Sequence, residues 1–297
     1  MKIKIGSRGS DLALWQANFV KDQLEKLGHE VVIQIIVTSG DRIQDLSFDK
    51  MEGKGFFTKE IEEALLRKEV DLAVHSHKDL ETKNPEGLII GAVSYRDNPA
   101  DLLLIHESGF DSSQPFQLKK EAIVGTSAAR RKSQLIRLRP DCIIKDLRGN
   151  VPTRVQKLRD GQYDAIVIAA AGVARLNLDL NDFIEVEFSI KDFIPAPAQG
   201  VLGLQIRNDD QNLKEVLQAI NHTDVEQEIG VERKVMQLLD GGCQLPLGVF
   251  CKKIDSMFHV HVSFSNASSE AAKTFFFQAN STTGLPELIV TELKNGQ

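Results

Sequence analysis

The sequence predicts a mixed α/β fold made of two similar lobes and a small α+β domain at the carboxyl end. Short apolar strands alternate with helical patterns, as in βαβ units. Two patterns of strand and turn also occur twice: Lys4–Arg8 resembles Ile123–Ser127, and Val70–Val74 resembles Tyr163–Val167. Because ligands commonly bind between such lobes, the repeat predicts a ligand cleft.

The first lobe opens with a strand at Ile3–Ile5 and a helix that Ser10 can cap and Gly28 can end. We expect the apolar face of this helix to contain Leu12, Trp15, Phe19, Leu24 and Leu27. The apolar, β-branched run Val31–Thr38 predicts a buried parallel strand. The pattern is lost from Ser39 to Gly55, and a loop of this length predicts a functional segment such as a lid.

Further elements follow from apolar runs and turn residues. In the first lobe they are a helix over Thr58–Arg67, a strand over Val70–Val74, a loop over His75–Asp79 and a strand over Leu88–Val93. After the second lobe come a strand over Val201–Ile206 and helices over Leu213–Ile220 and Asp224–Leu239. The last domain is predicted to contain strands over Gly248–Cys251, Phe258–Phe264 and Thr274–Gln278 and a helix over Leu285–Lys294.

Two proline-containing segments, Arg96–Pro99 and Phe193–Gly200, predict crossovers between the lobes. Because they bracket the middle of the chain, we expect the chain to return to the first lobe after the second crossover. The predicted domains are 1–98 with 199–219, then 99–198, then 220–297.

Composition limits the function classes. Of the 297 residues, 42% are hydrophobic and 26% charged, which is typical of a soluble globular protein. The net charge of −6 argues against a general nucleic-acid surface. No apolar run reaches the roughly 18 residues of a membrane span, and the polar start Met1–Arg8 predicts no signal peptide. The three cysteines fit no disulfide framework, so we expect a cytoplasmic protein.

Arginines provide the strongest indication of a ligand. They lie near strand ends or helix starts, where α/β sheets bind ligands: Arg8, Arg130, Arg131, Arg148, Arg154 and Arg175. Guanidinium groups match carboxylates and phosphates. Arg130 and Arg131 open a helix, where the dipole disfavours cations, so a neighbouring anion is expected. For any single arginine, a solvated surface position is the simpler interpretation.

Two further groups of residues could carry chemistry. Asp79 follows a buried strand, where a carboxylate can move protons or stabilise a cation, although an exposed loop position is an equally simple interpretation. The pair His75 and His77 could share a metal, but no third ligand is evident. The strand pair His259 and His261 has the same weakness.

The segment Leu239–Gly248 presents one thiol, Cys243, after two glycines and before a proline. The glycines allow a turn that could expose Cys243 to a bulky group. On its own, a lone cysteine is more simply an inert structural residue, as we expect for Cys142 and Cys251.

Taken together, these motifs resemble the hydroxymethylbilane synthase (porphobilinogen deaminase) family over nearly the whole chain. The matching segments are Ser7–Gln16, Gly53–Glu60, His75–Leu80, Gly125–Arg131, Leu147–Arg154, Ala169–Leu176 and Gly241–Gly248. The resemblance implies two lobes like type II periplasmic binding proteins, a small α+β domain and a monomer. It also implies head-to-tail condensation of four porphobilinogen molecules onto a covalent dipyrromethane primer, with release of ammonia and hydroxymethylbilane.

The resemblance also implies residue roles. Asp79 would be the catalytic carboxylate, stabilising the cation formed when ammonia leaves and moving the proton. The implied cofactor-binding residues are Cys243, through a thioether, and Lys78, Asp79, Thr126, Ser127, Arg130, Arg131, Arg148 and Gly172. The implied substrate-binding residues are Arg8, Ser10, Lys54, Ser76, Arg148, Arg154, Arg175 and Gln199. No metal is implied.

The chain departs from the usual family pattern in details of the cleft. His77 stands where Met is frequent, Glu81 where Pro is frequent, Gln205 where Glu is frequent, and Ala198 near a frequent Gly. Two other functions remain possible on the residues alone. One is an anion-binding receptor with the same two-lobed fold, and the other is a metalloenzyme using His75 and His77.

Overall fold

The computed structural model describes residues 1–42, 58–242 and 244–295. Its elements begin with β1 (Lys2–Ser7), α1 (Asp11–Lys26), β2 (Glu30–Ile35), α2 (Ser39–Arg42), α3 (Lys59–Leu66), β3 (Leu72–Ser76), β4 (Leu88–Val93), β5 (Asp101–Ile105), β6 (Ile123–Gly125), α4 (Ala129–Leu138) and β7 (Ile143–Lys145). They continue with α5 (Val151–Arg159), β8 (Ala165–Ala169), α6 (Ala170–Leu176), β9 (Ile184–Glu187), β10 (Leu202–Arg207), α7 (Gln211–Gln218), α8 (Thr223–Leu238), β11 (Leu247–Ile254), β12 (Met257–Phe264), β13 (Lys273–Ala279) and α9 (Leu285–Asn295).

These elements fall into two units, each formed from two stretches of the chain. The first unit is Met1–Asp97 with Gly200–Gln227, and the second is Asn98–Gln199 with Glu228–Gln297. The first unit contains one five-stranded sheet, whereas the second contains a five-stranded sheet and a three-stranded sheet.

The two five-stranded sheets have the same topology. Their strand orders are β2-β1-β3-β10-β4 and β7-β6-β8-β5-β9. In each, the first three strands are parallel, and the fourth runs antiparallel to both of its neighbours. With the small third sheet, this confirms the predicted fold class of two similar α/β lobes and an α+β part.

The repeat found in the sequence has a packing cause. A Cβ atom added to Gly6 in β1 would lie 3.0 Å from Cγ2 of Val70, just before β3. At the equivalent place in the other sheet, a Cβ added to Gly125 would lie 2.8 Å from Cδ1 of Tyr163, just before β8. Each glycine therefore leaves room for the residue that leads into the neighbouring strand.

Helix α1 forms where predicted, with Ser10 as its cap, but its buried face agrees only in part with the prediction, which Leu24 and the partly buried Phe19 fit. Its buried residues are Gln16, Ala17, Val20 and Leu24. Leu27, expected on the buried face, ends the helix and is 45% exposed. Gln16 replaces an apolar residue on this face because its amide has a partner on β3, described below.

Three further expectations for the first unit were wrong in detail. Among the described strands, β2 pairs only with β1, and its surface is largely exposed, so it is an edge strand and not a buried one. The predicted loop from Ser39 begins instead with the short helix α2, whose first residue is bound by Glu60 of α3. Strand β3 extends through His75 and Ser76 because these residues pair with Gly203 and Leu202 of β10.

The small sheet has the order β11-β12-β13 and packs with residues of α8 and α9 around one apolar core. One edge of this sheet is closed without another strand. The amides of alternate β11 residues Val249, Cys251 and Lys253 donate to Pro195 O at 3.1 Å, Glu232 Oε1 at 2.7 Å and Glu228 Oε1 at 3.1 Å, respectively.

Glu232 also binds the second crossover. Its Oε2 atom accepts a hydrogen bond from the amide of Ala198 at 2.6 Å, and Glu232 is 1% exposed. Ala198 has a φ of +63°, and Gly200 follows with a φ of +87°. Only glycine fits at position 200, because an added Cβ would lie 2.5 Å from the carbonyl oxygen of Asp97.

Candidate active site

In the first unit, predicted site residues gather at one edge of the sheet. Parallel strands β1 and β3 end at Ser7 and Ser76, so their carboxyl ends face the same side. Arg8 and Ser10 follow β1. A single 3-10 turn, His77–Asp79, follows β3 and contains Lys78 and Asp79. This edge is where open α/β sheets bind ligands.

The end of β3 is fixed from the side of α1. The amide Nε2 of Gln16 donates to the hydroxyl of Ser76 at 2.8 Å. The backbone amide of His77 donates to the carbonyl of Val201 at 2.9 Å, which continues the pairing with β10 beyond the strand. Asp79 lies at the end of this anchored turn and is exposed. Its carboxylate is therefore accessible, while the backbone that carries it is held.

On the other face of β3, His75 belongs to a buried chain of polar side chains. Its Nε2 atom lies 3.1 Å from Oε1 of Gln205, and Nε2 of Gln205 donates to Oε1 of Glu62 at 3.0 Å. Burial lowers the pKa of His75 to about 4, against the effect of the Gln205 hydrogen bond. Burial also raises the pKa of Glu62. His75 is thus a neutral structural group at neutral pH.

In the second unit, several predicted residues lie soon after the ends of three neighbouring parallel strands. Thr126 and Ser127 follow β6, Arg148 follows β7, and Gly172 and Arg175 lie on α6 directly after β8. Thr126, Gly172 and Arg175 are buried, whereas Ser127 and Arg148 are partly exposed. The sheet therefore brings these residues to one edge.

Local hydrogen bonds shape this edge. The hydroxyl of Ser127 donates to the carbonyl of Leu147 at 2.9 Å and accepts from the amide of Leu147 at 3.0 Å. Arg154 Nε donates to the carbonyl of Gly149 at 2.8 Å. These three hydrogen bonds fix the loop that carries Arg148, so Ser127 and Arg154 have a structural role whatever they bind.

The anion expected beside Arg130 and Arg131 is partly supplied by the protein itself. Asp101, the fully buried first residue of β5, accepts from Arg130 Nη1 and from Arg131 Nη2, each at 2.7 Å. Gln199 Nε2 donates to the same carboxylate at 2.9 Å and to Pro99 O at 2.7 Å. Burial would raise the pKa of Asp101, but the two guanidinium charges outweigh it and keep this pKa far below its usual range.

Sequence reasoning missed Asp101, Gln16 and Glu62. Asp101 does carry a signal, because it is an acidic residue directly before the apolar run Leu102–Ile105. A charge at the start of a buried strand predicts a buried partner. For Gln16 and Glu62, helical position alone does not distinguish a buried polar residue from an exposed one.

Some predicted residues lie outside the described part of the chain. They are Cys243, Lys54 and the remainder of the proposed lid, residues 43–55. Within the described ranges, no group of three or more His, Cys, Asp or Glu residues is arranged to hold a metal. His259 and His261 share a strand face, as predicted, and their imidazole rings contact the ring of Phe276.

Relatives of this chain were found by sequence. The family model described as "Porphobilinogen deaminase, dipyromethane cofactor binding domain" matches residues 3–215. The chain is 44% identical over 257 residues to a porphobilinogen deaminase from Sulfurimonas denitrificans, covering 86% of this chain and 80% of the relative. It is 45% identical over 249 residues to one from a Nitratiruptor species, covering 84% and 78%.

Among solved structures, an arginine-specific periplasmic binding protein from Salmonella typhimurium is 12% identical, with a TM-score of 0.41. The match covers 74% of this chain and 91% of that protein. An ancestral cationic amino acid binding protein is 15% identical, with a TM-score of 0.44, and the match covers 76% and 89%.

The strand orders define the class of fold: two α/β lobes whose five-stranded sheets have the same topology, with a small α+β part. The chain belongs to the porphobilinogen deaminase family. Its activity is that of hydroxymethylbilane synthase, a transferase of tetrapyrrole biosynthesis that uses a dipyrromethane cofactor and joins four porphobilinogen molecules. The family decides between the transferase and the receptor in favour of the enzyme.

Among the described residues, no helix is both long and apolar enough to cross a membrane.

Proposed function

We propose that Asp79 is the catalytic residue of this transferase. Loss of ammonia from porphobilinogen leaves a cationic carbon, and carbon–carbon bond formation then requires removal of a proton. An accessible carboxylate on a rigid turn can stabilise the cationic carbon and accept the proton. The observation that carries this assignment is the exposed position of Asp79 at the end of a turn held by Gln16 and β10.

We further propose that the dipyrromethane is attached by a thioether to Cys243 and is bound in part by residues of the second unit. The residues present fit such a group. The Nε atom of Arg131 is buried and has no hydrogen-bond partner among the described residues. The first residue before α4, Ala128, provides no side-chain cap, so the helix start offers amide donors to an anion. A Cβ added to Gly172 would meet only Val151, at an ordinary 3.5 Å, so protein packing alone does not require glycine there.

When bound, a dipyrromethane supplies the pyrrole carbon to which the first substrate unit is joined. The proposed cofactor-binding residues are Lys78, Asp79, Thr126, Ser127, Arg130, Arg131, Arg148 and Gly172, and the cationic side chains among them would bind its carboxylates. Arginine forks bind acetate and propionate groups in two-point contacts. The proposed substrate-binding residues are Arg8, Ser10, Lys54, Ser76, Arg148, Arg154, Arg175 and Gln199.

The sheet edges support this assignment for the described residues. Each porphobilinogen unit brings two carboxylates, so a growing chain needs several cations. Arg8 at the end of β1 and Arg148 at the end of β7 lie on binding edges of their sheets. Because such edges bind ligands in α/β folds, we assign substrate carboxylates to them.

We also propose the predicted organisation into three domains, 1–98 with 199–219, 99–198, and 220–297. The separate apolar core around β11, β12, β13 and α9 supports an independent third domain. The proposed setting is a cytoplasmic monomer that acts on a small molecule, without a nucleic-acid or membrane partner. Gel filtration with light scattering tests the monomer.

Intact mass spectrometry tests the attachment. The purified chain should be heavier than its sequence by one dipyrromethane, and peptide mapping should locate the addition at Cys243. Cys243→Ser should lack this mass, whereas Cys142→Ser should keep it. An addition mapped to another residue, or a folded, active chain without it, would contradict the proposal.

A further inference from the structure

Asp101 is placed as a bridge between two arginines of one helix. Its Oδ2 atom binds Arg130 Nη1 and its Oδ1 atom binds Arg131 Nη2, each at 2.7 Å. Both arginines are 5% exposed and Asp101 is 0% exposed. Each arginine also donates to the backbone, Arg130 to Ile194 O and Arg131 to Val167 O, both at 2.9 Å. The two guanidinium groups are therefore held in fixed orientations.

The charges of this cluster do not cancel. Two guanidinium groups face one carboxylate, and the neighbouring Gln199 amide adds a donor but no charge. Burying a cation without a matching anion is costly, and a well-packed apolar cluster would be more stable. The Nε atom of Arg131 is buried and has no hydrogen-bond partner among the described residues. Among the described residues of this cluster, the positive charges therefore exceed the negative charges by one.

The scaffold around Asp101 is rigid. Asp101 pairs with Ala169 in β8, and its carbonyl accepts from the amide of Phe188 at 3.0 Å. The side chain of Gln134 binds both the amide and the carbonyl of Ile194, at 2.7 and 3.0 Å. Groups that are fixed on strands can hold a ligand-binding side chain more precisely than loop residues can.

We infer that Asp101 is a positioning residue for cofactor binding: it holds Arg130 and Arg131 side by side with one positive charge in excess, oriented toward a carboxylate. Asp101 touches the arginines and not the ligand. The inference rests on the proposed cofactor role of the two arginines. Beyond that role, the orientation of the two arginines on α4 depends on one buried carboxylate in another element, Asp101 of β5.

Two substitutions separate charge from geometry. Asp101→Asn keeps the shape but removes the anion, and Asp101→Glu keeps the anion but lengthens the side chain by one methylene. The matched control is Asp141→Asn, because Asp141 also binds a buried arginine of the same unit, Arg139, at 2.6 and 2.8 Å. Asp141 lies outside the predicted site.

The first readout is the fraction of folded chains that carry the dipyrromethane mass, taken from intact mass spectra of protein purified from cells that make the cofactor. The second is the KM for porphobilinogen and the kcat per loaded chain. A displacement of about 1 Å can cost about 100-fold. We expect loading of both Asp101 variants to fall at least about tenfold, while Asp141→Asn loads like the wild type.

Normal loading of folded Asp101→Asn and Asp101→Glu would overturn the inference. If Asp101→Asn does not fold, Asp101→Glu decides, because it retains the neutralising charge. Arg131→Gln separates the proposed role of Arg131 in cofactor binding from the proposed positioning role of Asp101. If Arg131→Gln loads fully, the proposed role of Arg131 fails. If it loses loading while both Asp101 variants keep it, only the role of Asp101 fails.

Discussion

The Nε2 atom of His75 lies 3.1 Å from the Oε1 atom of Gln205, across two antiparallel strands. Because the amide nitrogen of Gln205 donates to Glu62, its oxygen must accept, and the proton of a neutral His75 therefore sits on Nε2. The histidine is a hydrogen-bond donor inside the sheet and not a metal ligand. This arrangement sets how the first unit responds to acid.

We expect His75 to make the folded state lose stability as pH falls. The pKa of His75 is about 4 in the folded protein, against 6.5 for an ordinary histidine in the unfolded chain. Between these two pH values the unfolded chain therefore binds the proton more strongly than the folded protein does. The contribution of neutral His75 to the free energy of unfolding is complete above pH 6.5 and is lost as the pH falls toward 4. The loss reaches up to about 3 kcal/mol. Urea unfolding from pH 7.5 to 4.5 measures it.

His75→Gln should remove this component, so that the difference in unfolding free energy from the wild type shrinks on acidification. Glu62 acts in the opposite direction, because its raised pKa favours the folded state as pH falls, but it titrates in both proteins. His259→Gln on the exposed sheet face is the control. A wild-type-minus-variant difference that does not change with pH would show that folding does not lower the pKa of His75.

Asp79→Asn should retain the covalent cofactor but lose nearly all turnover. The amide keeps the size of the side chain, but it cannot stabilise a cation as a carboxylate does or accept the proton. Intact mass and single-turnover kinetics measure the two properties separately. Glu81→Gln, two residues further along, is the control for a charge change nearby. Wild-type turnover in Asp79→Asn would remove Asp79 from the mechanism.

Arg148→Leu should impair engagement of cofactor or substrate while the protein stays folded. Arg148 is partly exposed at the end of β7, and its loss removes a carboxylate-binding group. Arg159→Leu is the matched control, because Arg159 lies in the same unit and pairs at 2.6 Å with Asp182 on the surface. Wild-type kinetics and loading for Arg148→Leu would contradict the arginine assignment.

Glu232→Gln should lower the free energy of unfolding by about 1–3 kcal/mol. The carboxylate accepts backbone hydrogen bonds from Ala198 and Cys251 with its two oxygens, and the amide of glutamine can accept with only one of them. Urea unfolding at pH 7.5 measures the loss. The exposed Glu292→Gln should change it little, and an equal loss in both variants would argue against a specific role.

Strand repeats and sheet-edge positions can be predicted from the sequence, whereas the buried face of helix α1 cannot. The repeated strands were recognisable because Gly6 and Gly125 are required by close packing against Val70 and Tyr163. The sheet-edge positions of Arg8, Asp79 and Arg148 followed from strand ends and from resemblance. The residues of the buried face of α1 were mispredicted, because the periodic pattern cannot show that Gln16 has a partner on β3.

Polar side chains that bind each other across long stretches of the chain cannot be paired from the sequence. Asp101 binds arginines 29 and 30 residues later, and Gln205 binds His75 across 130 residues. No local pattern encodes these distances; only the order of strands in the sheets does. Hence the sequence predicted a ligand for Arg130 and Arg131 but not the internal carboxylate that they already share.

The closure of the β11 edge by Pro195, Glu228 and Glu232 has a consequence for self-association. An uncovered strand edge presents a row of amides on which a strand from another molecule can grow. Here two glutamates and one proline carbonyl occupy the amides of every second residue from Val249 to Lys253. The carboxyl-terminal sheet is thus protected from adding a foreign strand on this side, and one of the protecting side chains, Glu232, also binds the crossover.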